Sequence, residues 1–499
     1  MSLDLALGIA RSGLAAVQRG LAQSSQNIGN AETPGYTRKT VPQHAASGAG
    51  LPAGVRTGEA QRAVDSALLA RLEESRAGEA AAALRERLLS GVERAQGAPG
   101  DGTALTDALG ALRGGLIGLR ASPADAGLQR GALEAAETLA RRLNETSDAI
   151  QRARQEAQDT IEGEVAAINA TLREIAALTN RLKSGLEGDP AAIEDRRDAA
   201  VARLAESLEV RAVRQGSGDI VLIARGGMVL PLDPDSDVFS VAPATLSPQA
   251  FHGPGGTLPG VMLNGLDVTA SLLGGRLGEA VALRDRTLPR LQAEADLAAA
   301  HIAARFEAQG LRLFTDTGGG VPATGAYAGS AQIGFAGRIA VNPAVAANPA
   351  LLRDGTHAVP GFAPNPPGGP AGFATLLDRV LDFTFGADAA PGTPWPAVPV
   401  TGLGPDGSLA SPFAAPPTIE GYVARLVSAQ AADRAAATAA RSEAGSLRTS
   451  LEARLRRESG VDVDAEMAGL VALQNAYAAN ARVVGTVQAM WDSLLAAMR

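Results

Sequence analysis

The chain has 499 residues, enough for roughly three domains at ~150 residues each. It is 46% hydrophobic but only 3% aromatic, so its cores must be built from Ala, Leu, Val and Ile, and its net charge of -8 weighs against nucleic acid as a partner. It has no cysteine, which excludes disulfides, thiolate nucleophiles and Cys-ligated metals.

The first predicted element is an N-terminal helix. Leu3, Leu7, Ala10, Leu14, Val17, Leu21, Ser24 and Ile28 alternate in steps of four and three, the seam of a coiled-coil helix, with Arg11, Gln18, Arg19 and Gln26 off the seam. Asp4 and Arg11 stand where a signal peptide needs positive charge and an unbroken apolar core. Asn27, Gly29 and Asn30 supply stop signals, and Thr33-Pro34-Gly35-Tyr36 fits a type II turn with Gly at the position of positive φ. Residues 56–205 then read as almost wholly helical. Ser122-Pro123-Ala124-Asp125 is a helix start, with Ser122 as cap, Pro at the first position and an acid at the third, and Ile161, Val165, Ile168, Leu172, Ile175 and Leu182 form another long seam. Near Leu208 the period changes to two. Leu208, Val210 and Ala212 alternate, "QGSGD" (215–219) turns, and Ile220, Leu222 and Ala224 alternate back, predicting a hairpin.

Helical pattern returns from about Gly278 to Gly310. Residues 360–417 hold 13 of the 29 prolines, which excludes a long helix there. Helix resumes near Thr418 and runs on, with a break near Gly460. Asp464 is the expected cap of the last helix. On that helix Met467, Leu470, Gln474, Tyr477, Ala481, Val484, Gln488, Trp491, Leu495 and Met498 again step by three and four. Two seam helices without local partners predict pairing of the two ends. Their seams hold Ala and polar residues, and Gly8, Gly13 and Gly20 each cost about 1 kcal/mol relative to Ala. The pair is therefore expected to be marginal in a free subunit and completed by neighbouring copies.

Chemistry-bearing motifs are sparse. His44, His252, His301 and His357 lack metal spacing, and no Gly-Lys pair or G-x-S-x-G occurs. Gly402-Leu403-Gly404-Pro405-Asp406-Gly407 matches G-x-G-x-x-G, but Pro-rich loop rather than a helix follows it, so no helix N-terminus could take a pyrophosphate. The alternating charges of "IEDRRDAAVARLAES" (193–207) read as a solvated helix face, with pairing by Arg196, Arg197 and Asp198 between domains or subunits as the alternative. No catalytic residue, cofactor site or metal site is expected, and no stretch of about 18 apolar residues could span a membrane.

"NIGNAETPGYTRK" (27–39) resembles the N-terminal signature of flagellar rod, hook and hook-associated proteins, and "SGVDVDAEMAGLVALQNAYAANARVVGTVQAMWDSLL" (459–495) resembles their C-terminal signature. The Pro-Gly-Tyr-Thr-Arg form is similar to the hook-associated protein 1, or FlgK, family. Internal stretches such as "SPADAGLQRGALEAAETLARRLN" (122–144) resemble that family too. The likeness is weak over 345–417.

The resemblance implies a mainly α fold with a β-rich middle and several domains. Residues 1–45 with 458–499 would form a coiled-coil-like inner domain lining a channel. Residues 46–205 with 270–313 and 418–457 would form a helical bundle, and 206–269 with 314–417 a β-rich outer region. It implies a secreted structural subunit at the hook–filament junction, not an enzyme. The partners implied are other copies in a ring or helical layer, the hook protein, the second junction protein with flagellin beyond it, and the type III export apparatus with its chaperone. The assembly interface would comprise Leu7, Ala10, Leu14, Val17, Leu21, Ile28, Met467, Leu470, Tyr477, Ala481, Val484, Trp491 and Leu495. Asn27, Asn30, Thr33, Pro34, Gly35 and Tyr36 would redirect the chain outward. The alternatives are a hook or distal-rod protein with the same ends, a cytosolic coiled-coil adaptor, and an enzyme-bearing scaffold.

Overall fold

The computed structural model describes residues 3–48, 51–97, 102–185, 189–216 and 218–497. Met498 and Ser217 of the predicted turn lie outside them. The fold is mainly α, with long helices and small sheets between them. In chain order, α1 (Leu3–Gly29) is followed by four strands, β1 (Lys39–Thr40), β2 (Gln43–Gly48), β3 (Leu51–Thr57) and β4 (Gln61–Arg62). Helices α2 (Ser66–Gln96), α3 (Leu105–Ala121), α4 (Ala126–Ser184) and α5 (Pro190–Ser207) come next. They are followed by β5 (Val210–Arg214), β6 (Ile220–Ala224), β7 (Val229–Leu230), β8 (Phe239–Ser240), β9 (Met262–Leu263) and β10 (Leu266–Asp267). Helix α6 (Gly275–Ala282) passes through a π-helical turn into α7 (Leu288–Ala308). Then come β11 (Phe314–Thr315), β12 (Ala340–Val341), the short helices α8 (Pro343–Ala347), α9 (Leu351–Asp354) and α10 (Thr375–Arg379), and strands β13 (Asp388–Ala390), β14 (Thr393–Pro394), β15 (Thr401–Leu403) and β16 (Leu409–Ala410). Two long helices, α11 (Ile419–Ser459) and α12 (Val463–Ala497), finish the described chain.

The chain folds as two compact units. The first holds Met1–Glu79, Ala167–Val238 and Glu443–Arg499; the second holds Ala80–Ala166 and Phe239–Ser442. This division differs from the expected one, because the β5–β6–β7 sheet belongs to the same unit as the terminal helices. In the first unit α1 packs along α12 and also against the β2–β3 hairpin, in which Gln43 pairs with Thr57. The sequence reading had placed residues 46–57 among helices. The segment is rich in Ala and Gly and carries no clear period, and its place is set by packing on α1, where the Val55 amide donates to Ser12 Oγ at 3.1 Å. The predicted hairpin is β5–β6, with Arg214 opposite Ile220, and β7 adds a third antiparallel strand.

The second unit is built on an Ala- and Leu-rich core. Leu109, Leu112 and Leu116 of α3, Leu139 and Leu143 of α4, Leu297, Ile302 and Phe306 of α7, and Tyr422 and Leu426 of α11 are all buried in it. Phe306 meets the edges of Phe314 and Phe385, at centroid distances of 5.7 and 5.9 Å. Two caps fall elsewhere than expected. Asp125, not Ser122, caps α4, accepting from the Gly127 and Leu128 amides at 2.7 and 3.1 Å. Asp462, not Asp464, caps α12, accepting from the Ala465 amide at 3.1 Å. In both cases the acid with free N–H groups two and three residues ahead takes the role. Asp464 lies instead in the first turn, where its charge suits the helix N-terminus.

Candidate functional site: the terminal helix pair and its anchoring turn

Helices α1 and α12 run antiparallel. Ser24 meets Glu466, Gly20 approaches Leu473, and Gly13 approaches Asn480. A Cβ built on Gly13 would lie 3.0 Å from Asn480 Oδ1, and one on Gly20 would lie 3.3 Å from both Leu473 δ-carbons. Two glycines that read as a cost in an isolated helix are thus points of close approach to α12. On α1, Ala10 and Val17 are buried and Leu7, Leu14, Leu21 and Ile28 are half-buried. On α12 the row facing α1 is Glu466, Leu473, Asn480 and Val487. Beside it Leu470, Val484 and Trp491 are half-buried, whereas Met467, Tyr477, Ala481 and Leu495 are exposed.

One expected row of the α12 seam is therefore displaced by one residue, and Met467, Gln474, Ala481, Gln488 and Leu495 point away from α1. The cause is polarity: Glu466 and Asn480 break the apolar period, so a hydrophobic reading selects the next row. The structure accepts both because each has partners. Ser24 Oγ donates to Glu466 Oε2 at 2.7 Å, and Arg38 Nε donates to Oε1 at 2.7 Å. Desolvation would raise the Glu466 carboxyl, but these hydrogen bonds and the Arg38 charge hold it below the usual carboxylate range. The Asn480 Nδ2 group donates to the Ala476 carbonyl at 3.0 Å.

The turn after α1 is bonded back onto the helix. The Tyr36 amide donates to the Thr33 carbonyl at 3.1 Å, and Gly35 has φ 81°, the left-handed value a type II turn needs. Pro34 and Gly35 are exposed. Asn30 Nδ2 donates to the Gln26 carbonyl at 2.9 Å, and Thr33 Oγ1 donates to Asn30 Oδ1 at 3.3 Å. The centre is Asn27, 1% exposed. Its Nδ2 donates to the Lys39 carbonyl at 2.9 Å, and its Oδ1 accepts from the Lys39 amide at 3.2 Å and from Tyr36 Oη at 2.9 Å. Asn27 therefore pairs with Lys39 as a neighbouring strand would. Burial, with Asp195, Asp189 and Glu466 nearby, pushes the Tyr36 hydroxyl up to about 12.

The charge-rich helix α5 receives this turn. The buried Lys39 ammonium lies 3.3 Å from Asp195 Oδ2 and 4.5 Å from the Tyr36 ring centre, and Thr37 Oγ1 donates to Asp195 Oδ1 at 2.6 Å. Arg62 Nε donates to Glu194 at 2.7 Å, and its Nη1 donates to Asp195 and Asp198 at 3.0 and 2.8 Å. Arg214 Nη2 reaches Asp198 and Glu73 at 2.9 and 3.2 Å. Burial pushes Glu73 up to about 7 against the pull of Arg214, with Asp198 adding to the rise. Asp195, Arg197 and Asp198 are buried, which overturns the solvated-face reading of 193–207, and of the cluster's charged residues Arg196 and Arg203 are exposed. The pairs lie within the first unit.

Two family matches fall on the two regions now described. The family described as the flagellar hook-associated protein FlgK helical domain matches residues 93–320, and the one described as the flagellar basal body rod FlgEFG protein C-terminal matches residues 457–497. The chain is thus similar to the FlgK family over its helical middle and to flagellar rod proteins over its last helix. The solved structure of the flagellar hook junction protein FlgK from Burkholderia pseudomallei is 25% identical with a TM-score of 0.40. That alignment covers 52% of this chain and 47% of the other, so the chain spans about half the length of that relative. No curated protein matches.

Other groups of the chain are structural in their surroundings. His301 is buried with Nε2 unpartnered, and burial with Arg305 nearby brings it down to about 4. Gly402–Gly407 lies in and around the β15–β16 hairpin, not before a helix. Asp296, fully buried, accepts from Tyr327 Oη and the Gly334 and Ala336 amides at 2.7 to 2.8 Å and from Gln292 at 2.9 Å, tying a loop to α7. Among the described residues no group of three His, Cys, Asp or Glu could hold a metal, and no helix is long and apolar enough to cross a membrane. Sequence reasoning missed Lys39, Arg62, Asp195 and Glu466. Lys39 carried a signal, being one of two lysines in an Arg-rich chain.

Proposed function

We propose that the chain is a subunit of the hook–filament junction, assembling with other copies through its terminal helix pair and carrying no catalytic role. The observation that carries this reading is the outward face of α12, where Met467, Tyr477, Ala481 and Leu495 stay exposed although α1 is docked. An exposed apolar row of this length on a helix that already has a partner is what a polymerising subunit needs. The FlgK helical-domain match favours a hook-associated protein over a hook or rod protein, since the C-terminal match alone is shared with rod proteins. In this reading the α1–α12 pair forms the inner layer and the turn at Pro34-Gly35 leads outward. The hook protein lies on one side and the second junction protein on the other, and delivery is by the flagellar export apparatus with a chaperone. Labelling flagella with an antibody to this chain tests the position: signal confined to the hook–filament boundary supports it, and signal along the rod, the hook or the cytoplasm overturns it. Deleting Met467–Arg499 should leave a protein that cannot support filament growth, and normal filaments in that strain would contradict the assembly role.

A further inference from the structure

Helices α2 and α11 meet through charge. Glu79, Glu86 and Glu93 stand seven residues apart on α2, and Arg448, Arg441 and Arg434 stand seven apart on α11 in the opposite order. In the first unit Arg448 Nε lies 2.5 Å from Glu79 Oε2, and Arg76 Nη2 lies 3.2 Å from Glu452 Oε1. In the second unit Arg441 Nη1 donates to Glu86 Oε2 at 2.5 Å, and Arg434 Nε lies 3.2 Å from Glu93 Oε2. Thr438 Oγ1 also donates to Glu86, at 3.3 Å. One pair per heptad sets the register of two antiparallel helices, as flanking charges do in a coiled coil.

A coiled coil places such charges beside an apolar core. Here the apolar part is thin. The start of α11 is anchored, with Tyr422, Val423, Leu426 and Val427 buried in the core of the second unit. From 431 to 458 only Ala437 is buried, and Leu447 is 52% exposed. Beside the Glu86–Arg441 pair a cleft of about 500 Å³ opens, lined by Ala80, Ala83, Leu84, Ser90 and Arg276. The side chains of the three heptad pairs are 19 to 55% exposed, so salt reaches them.

We propose that α11 from 431 to 458 is an electrostatic latch: the ion pairs hold it on α2, and it lifts off when they are screened or broken, while the apolar cores stay folded. An exposed ion pair shifts an equilibrium by roughly 1.5- to 5-fold, so the three heptad pairs together shift this opening by roughly threefold to a hundredfold. The latch does not rest on the self-assembly reading. In the delivery proposed above, it is a long stretch of chain that leaves the fold ahead of the cores.

Hydrogen exchange resolved by residue on the full-length subunit tests it. Raising sodium chloride from about 0.1 to about 1 M shortens the screening length from roughly 10 to roughly 3 Å. Amides of 434–455 should then exchange at least about threefold faster in wild type, and those of the α7 core should not change. Glu79→Arg, Glu86→Arg and Glu93→Arg together should speed the same amides by at least about tenfold at low salt. Salt should slow them in that variant, because the facing charges repel. Adding Arg434→Glu, Arg441→Glu and Arg448→Glu to the same chain should restore protection and the wild-type response to salt. If circular dichroism shows that the reversed chain folds poorly, Glu79→Gln, Glu86→Gln and Glu93→Gln together serve, and should abolish most of the salt response. Exchange at 434–455 indifferent to both salt and charge would mean that apolar packing holds the helix, and would overturn the latch. So would a speed-up shared by the α7 core, since the opening would then be global.

Discussion

Replacing Asn27 with alanine should loosen the joint between α1 and the strands after it while leaving both units folded. The side chain makes four hydrogen bonds, the weakest from Gln23 Nε2 at 3.3 Å. Two are with the backbone of Lys39, a residue 2% exposed, where no solvent can take over. The third, from Tyr36 Oη, lies at a half-buried site that water can reach. A buried polar group left unpaired costs about 1–3 kcal/mol, so the amide and the carbonyl of Lys39 together give about 2–5 kcal/mol of local destabilisation. At 1.4 kcal/mol per tenfold, that is roughly 30-fold to a few thousand-fold faster opening. Aspartate should rescue little, because its second oxygen would face the Lys39 carbonyl without a proton to give. Hydrogen exchange resolved by residue on the free subunit is the assay. Amides of 27–40 should speed up by at least tenfold, and those in the α3 and α7 core should not change. A change below threefold at 27–40 would show that Asn27 is incidental to the turn.

The remaining predictions concern the same unit. Gly20→Ala should be nearly neutral, since the tight contact with the flexible Leu473 tip is offset by about 1 kcal/mol of helix propensity; Gly20→Leu should push the helices apart at a cost of about 1–3 kcal/mol, read by urea denaturation of the first unit. Glu73 should make that unit less stable as pH rises. Its folded pKa is raised, from 4.5 to about 7, so the folded state holds the proton more tightly, and the contribution present below 4.5 is lost on passing through 7. Glu73→Gln should flatten the wild-type fall in urea midpoint between those values, and an unchanged slope would rule Glu73 out as its source. Replacing Pro34-Gly35 with Ala-Ala puts a Cβ at φ 81° and removes the fixed φ of proline, at a cost of about 1–2 kcal/mol for the left-handed residue. Swarming should be impaired, and wild-type swarming would make the turn dispensable.

Apolar periodicity made the helices and the β5–β6 hairpin readable, because each buries a stripe that repeats at 3.6 or 2 residues. All eight residues of the expected α1 seam are buried or half-buried, although Ala16 and Asn27, off that seam, are buried too. It failed wherever burial was polar. Glu466 and Asn480 occupy the inner row of α12, and Asp195 and Asp198 are buried on α5 because Arg62, Arg214 and Lys39 arrive from distant parts of the chain. No local pattern announces that meeting. The β2–β3 hairpin was hidden for the opposite reason, since its Ala and Gly residues favour neither period and its position comes from α1.

These misses bear on how the terminal pair holds together. The expectation of marginal stability treated α1 and α12 as two helices sharing one apolar seam. In the structure α1 also has the hairpin behind it, and one end of the pair is fastened by Ser24, Glu466, Arg38 and the bond from the Arg38 amide to the Ser459 carbonyl at 2.9 Å. Toward the other end, among the described residues, α12 shows no such fastening: after Val487 only Trp491 is even half-buried, and Met490, Leu494 and Leu495 are exposed. Cohesion within the subunit and apolar surface open to neighbours are therefore concentrated at opposite ends of one helix. A pair built this way need not be wholly ordered or wholly frayed before assembly. Its fastened end can fix the register of the two helices, and its open end is the part for which, in the proposed assembly, contact with the next copy would supply the missing burial.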